Sequence, residues 1–181
     1  MQTVIHRKDE AFTKADVMSK LKDELTKREK QYGGMSEVEA LANEYAKTYT
    51  DNFIVMDVSD ANCMISQGDI ILHSTSSNYY NAVKETIMDQ RPAKNMNLQE
   101  GTALTGDHVV IPMEGAELTI TDARFIPMDS VLGRRPYECK LINSNKPFLI
   151  AHREHGNITM PAGEYLSYSQ IDAKTKRRVM D

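Results

Sequence analysis

Three histidines and two carboxylates stand where metal or general-acid chemistry could be built. His152, Glu154 and His155 fall within FLIAHREHGNITMPAGEYLSYSQI (148–171), which reads as an apolar strand, a turn and an aromatic strand. His108 follows Asp107 and opens a further apolar run, HVVIPM. Imidazole and carboxylate groups at the ends of neighbouring strands can hold a transition metal ion when three or more of them converge. The candidate ligands are therefore His108, His152 and His155, with Asp107 or Glu154 supplying oxygen. Residues 152 and 155 lie on a turn, and the helical HExxH arrangement is absent. The alternative needs no cofactor: His152 pairs with a carboxylate and His155 caps the turn before Gly156.

Other chemistries find fewer of their parts. The sequence has no GxxxxGK[ST], GxGxxG or GxSxG, so the usual phosphate loops and the nucleophile elbow are missing. Cys139 sits within an alternating strand pattern, which points to burial, and its spacing from Cys63 fits no CxxC site. Tyr165 and Tyr168 are three apart on a strand and must face opposite ways.

These groups have to be positioned by two kinds of element. Residues 13–31 predict a helix with a capping box at Thr13 and Asp16 and a narrow apolar stripe of Val17, Leu21 and Leu25. Gly33 and Gly34 stop it. A second capping box at Ser36 and Glu39 predicts another helix over about 37–50, completing a helical hairpin in 1–52. Its stripe can close the core of the same chain or serve as an assembly element; in the second case Val17, Leu21 and Leu25 form a contact surface.

From Phe53 the period shifts from 3.6 to 2. Strands are predicted at 53–58, 69–73, 108–113, 117–121, 137–142, 148–151 and 164–171, with turn signals between them. The expected fold is α+β: the hairpin, then over 53–181 a mainly antiparallel small β barrel or sandwich with a helical insertion at 74–101. That insertion contains a helix near Tyr79–Asp89 and a polar loop, and insertions of this length commonly bind partners.

At 181 residues the chain can bury roughly 70% of its unfolded surface without disulfide staples. Its 22 basic and 26 acidic residues, net charge −4, argue against general nucleic-acid binding. A basic cluster, Lys174, Lys176, Arg177 and Arg178, is either a solvated end or a partner contact. The charged N-terminal residues do not read as a signal peptide, and no apolar run is long enough for a membrane span.

Several landmarks together, QGDIIL at 67–72, Leu104-Thr105-Gly106, HREHGNITMPAGEY at 152–165, Gln170 and the closing RRVMD, resemble an uncharacterised group of small proteins common in bacteriophage and bacterial genomes. The resemblance covers about residues 65–181. In that group the central turn reads TGH, whereas this chain has Thr105-Gly106-Asp107-His108. The resemblance implies a small β fold and a phage context. The expected function is therefore a phage structural or virion-associated protein, such as a capsid-associated or decorating protein, located in the virion or in host cytoplasm before assembly. Its partners would be itself or other virion proteins, with no specific nucleic acid, no membrane and no cofactor. Two alternatives remain open: a cupin-like metal-binding protein or enzyme using the histidine set and one transition metal ion, and a soluble phage accessory protein binding a host factor through 74–101.

Overall fold

The computed structural model describes residues 13–49, 55–98, 108–128 and 135–170. Among the described residues three helices come first: α1 (Lys14–Thr26), α2 (Glu29–Tyr32) and α3 (Met35–Thr48). Thr13 caps α1 by accepting a hydrogen bond from the Asp16 amide at 3.2 Å. The single helix expected over 13–31 breaks at Lys27–Arg28, where the Arg28 amide donates to the Leu25 carbonyl three residues back. Gly33, at φ 99°, ends α2 in the left-handed region that side chains avoid. Gly34 is then the N-cap of α3, so Ser36 lies inside that helix instead of capping it.

Nine strands follow among the described residues: β1 (Ile65–Gln67), β2 (Ile70–Ser74), β3 (Met88–Pro92), β4 (Val109–Pro112), β5 (Leu118–Phe125), β6 (Tyr137–Ser144), β7 (Phe148–His152), β8 (Gly156–Met160) and β9 (Gly163–Ser169), with α4 (Asn78–Val83) between β2 and β3. They form two antiparallel sheets, one in the order β1-β2-β9-β6-β5-β3 and one in the order β4-β7-β8. The sheets stack as an open sandwich, not a closed barrel. The fold is α+β.

Alternation on the strands explains the stacking. Ile65, Ile70, Leu72, Ile120, Ile142 and Tyr165 project from the large sheet and pack on Val110, Phe148, Ile150 and Met160 of the small one. The opposite face of the small sheet, Val109, Ile111, Leu149 and Ala151, packs on Val17, Leu21, Leu25, Val38, Leu41 and Tyr45 of the helices. β7 is thus buried on both faces along its whole length, which accounts for its unbroken apolar run. The far face of the large sheet meets α4 through Val83, Ala123, Phe125, Cys139 and Leu166. Four layers result, in the order helices, small sheet, large sheet, helix.

This layering decides between the two readings of the helical stripe and places the described part of the 74–101 segment. Val17, Leu21 and Leu25 are at most 1% exposed, so of the two readings of the stripe it is the first that holds: it closes the core of its own chain. Apolar burial drives this, at about 2 kcal/mol for each such side chain. The 74–101 segment, within its described residues, is woven into the fold: α4 covers the sheet, and β3 pairs with β5 at the sheet edge. That edge is blunted by Pro92, by exposed charges and by a register shift between Met88 and Arg91. The strand expected at 53–58 is reduced, among its described residues, to a single parallel bridge between Val55 and Thr159. No helix among the described residues is long and apolar enough to cross a membrane.

Candidate functional site

One end of the sandwich gathers most of the described landmarks. β1 ends at Gln67 and β2 begins at Ile70, so Gly68 and Asp69 make the turn between them. β4 starts just after His108, and β7 ends at His152, because Val109 lies opposite Ala151 in the ladder. The turn into β8 carries Arg153, Glu154 and His155. Gln170 follows β9, which runs beside β2.

Hydrogen bonds then close these pieces on one another. His108 Nε2 is 2.9 Å from the Gln67 carbonyl, which can only accept, so this nitrogen carries the hydrogen. The other ring nitrogen of His108 faces Asp69 Oδ1 at 3.7 Å, with both side chains fully buried. Gln67 Nε2 donates to the Gly156 carbonyl at 2.7 Å and to the Ile150 carbonyl at 3.4 Å. The Gln170 amide donates to the Asp69 carbonyl at 2.6 Å, and its side chain donates to the Gly68 carbonyl at 3.2 Å.

His152 is 1% exposed and is held twice over. Its Nδ1 accepts from the amides of Glu154 and His155, each at 3.2 Å, which places the hydrogen of the neutral ring on Nε2. The ring lies between two others: 4.3 Å from His108 with planes 25° apart, and 4.6 Å from His155 with planes 15° apart. The helices lock on here too, because Thr48 Oγ1 donates to the His152 carbonyl at 3.1 Å. Gly156 has φ 71°, and a Cβ there would stand 3.2 Å from the Thr48 carbonyl oxygen.

The three predicted histidines do come together, as a face-to-face stack. A metal binds imidazole in the ring plane, and nearly parallel rings send their in-plane lone pairs past one another. His108 Nε2 and His152 Nδ1 are already committed to the backbone. Glu154 is exposed, with its carboxylate 4.0 Å from the Arg153 guanidinium. Among the described residues no group of three or more His, Cys, Asp or Glu is placed to hold a metal ion. Asp107 lies outside the described residues, as do Lys174, Lys176, Arg177 and Arg178.

The remaining candidates resolve simply. Burial pushes the Cys139 thiol up to about 12, far from the thiolate that nucleophilic attack requires. Tyr165 enters the core between the sheets and Tyr168 packs on the α4 side. Gln67 and Asp69 belong to the site, although the sequence marked them only as part of a turn.

The family model for a domain of unknown function, DUF8820, matches residues 66–170, well over half of the chain. The chain belongs to the DUF8820 family. The DUF8820 segment opens at the Gln67 turn and closes at Gln170, the two places that the hydrogen bonds above join. Among the described residues it takes in α4 and every strand, β1 from its second residue, whereas α1 to α3 lie outside it. No curated protein and no solved structure matches the chain.

Proposed function

We propose that this DUF8820 protein is a non-catalytic phage structural or virion-associated protein, acting through protein–protein contacts. One observation carries this reading. The residues that make the sequence recognisable, Gln67, Asp69, His108, His152, His155 and Gln170, are closed on one another in a fastening that joins both sheets and the helices. Catalytic groups are normally presented to a cleft, with at least one reacting atom left to meet substrate. Here most of the set is buried, and its named donors and acceptors engage backbone groups. The phage context comes from the sequence resemblance, and a rigid sandwich suits a particle component. Because the apolar stripe of α1 is internal, contacts with neighbours use the polar outer surface.

The test is quantitative mass spectrometry of gradient-purified particles from the phage or prophage carrying the gene, with metal analysis of the purified protein alongside. A fixed number of copies per particle supports the reading. Absence from particles while the protein is abundant in the lysate overturns it. Near one equivalent of a transition metal, lost on His108→Gln or His155→Gln, overturns it in favour of a cupin-like site.

A further inference from the structure

The large sheet extends sideways past the small one, and what lies there has a different chemistry. The registers place Ile65, Leu72, Ser167, Lys140, Asp122 and Arg91 opposite one another in a single row across all six strands. Under the small sheet that row is apolar; beyond it, the row turns polar and charged. Its charged half floors a cavity of about 420 Å³, within the size range of small-molecule sites.

The cavity is layered by charge. Among the described residues this row holds two cations and one anion: Lys140 pairs with Asp122 at the base of the cavity, and the largely exposed Arg91 has its Nε 3.7 Å from the same carboxylate. Lys140 keeps only 13% of its side-chain exposure. Directly opposite Lys140 is Ser167, which is fully buried and whose Oγ has no hydrogen-bond partner among the described residues. A buried hydroxyl without a partner is costly, and this one lines the cavity beside an ammonium. Two residues further along each strand, about 6.7 Å away, Arg124 lies opposite Glu138 and pairs with Asp89. Among the described residues this second row, the rim, therefore holds two anions and one cation.

We propose that this cleft binds a small ω-amino carboxylate, its carboxylate on Lys140 and Ser167 and its ammonium toward Glu138 and Asp89. A monoanion suits a row that, with Arg91, carries one excess positive charge among the described residues. A phosphate dianion would meet two carboxylates at the rim. The spacing of the two rows sets the ligand length at four or so methylenes. This site shares no residue with the histidine fastening and does not depend on the particle reading.

The experiment is a ¹H–¹⁵N NMR titration of the full chain with 5-aminopentanoate, with pentanoate and inorganic phosphate as comparators. Expected are shifts centred on Lys140 and Ser167 with a dissociation constant of about 1 mM or below, and weaker binding of both comparators. Ser167→Ala should weaken binding by about 3- to 10-fold without lowering the melting temperature, because it removes one hydrogen bond to the ligand and a hydroxyl with no partner among the described residues. Glu138→Gln should bring the 5-aminopentanoate to pentanoate ratio toward one. No shift at these residues up to about 20 mM, phosphate binding more tightly, or an affinity unchanged by Ser167→Ala would each overturn the proposal.

Discussion

Acidification should destabilise this protein in part through one ring, His73. It lies on β2 beneath α4, 5% exposed, stacked 4.2 Å from Tyr79 and with Nε2 3.2 Å from the Tyr168 hydroxyl. Burial lowers its pKa from 6.5 to about 4, with a hydrogen bond to the Cys63 backbone as the smaller, opposing effect. The unfolded chain takes up the proton near 6.5, whereas the folded chain resists until about 4. His73 is therefore neutral in both states above that window and costs nothing there. As pH falls through it, the unfolded state binds more protons and stability drops. At about pH 4.5 the unfolded ring is almost wholly charged and the folded ring mostly neutral, a difference of about 2.5 kcal/mol, or about 2 kcal/mol after solvent screening at the ring edge. Urea denaturation followed by tyrosine fluorescence, for wild type and His73→Gln between about pH 7.5 and about pH 4.5, isolates this share from the other titrating groups. The variant should lose about 2 kcal/mol less than wild type over that range. Curves that fall in parallel, within about 0.5 kcal/mol, would refute the reasoning.

Leu21→Asp and Leu25→Asp should each abolish cooperative unfolding or cost about 4 kcal/mol, seen by circular dichroism, because both side chains lie in the core between α1 and the small sheet. A folded protein that had merely lost self-association would show the stripe to be a surface after all. Gly156→Ala combines a left-handed φ with a close approach to the Thr48 carbonyl and should lower stability by about 1 to 2 kcal/mol. His152→Gln removes the ring between two others and the acceptor of two amides, so it should cost more than His155→Gln, by about 1 to 3 kcal/mol in chemical denaturation. Removing residues 1–49 bares Val109, Ile111, Leu149 and Ala151, and light scattering should then report more association than the full chain gives under the same conditions.

The alternating and continuous apolar runs made β2, β4, β5, β6, β7 and β9 legible in the sequence, since each buries a regular set of side chains. β3 was not legible, because Asp89, Gln90, Arg91 and Pro92 are all exposed and an edge strand without a buried face has no period to read. β1 is only three residues long and β8 opens on Gly156 and Asn157, so pairing in the sheet, not local preference, makes them strands. The meeting of His108, His152 and His155 followed from strand order, but ring orientation did not. Whether imidazoles converge on an ion or stack depends on backbone acceptors such as Gln67 that lie far away in sequence. The charged cleft had a signal: Asp122 with Arg124 and Glu138 with Lys140 each share a face at a spacing of two. Taken strand by strand, they resemble any solvated face.

The hydrogen bond from Gln170 to Asp69 means that the family segment enters and leaves at one point. A unit whose ends meet can be spliced into a surface loop of an unrelated host without prising the host apart, or be rejoined end to end and opened elsewhere. The difficulty in such a graft lies away from the splice. One side of the small sheet arrives oily and unclothed, so a recipient must either bring its own cover or take the helical hairpin along with the strands.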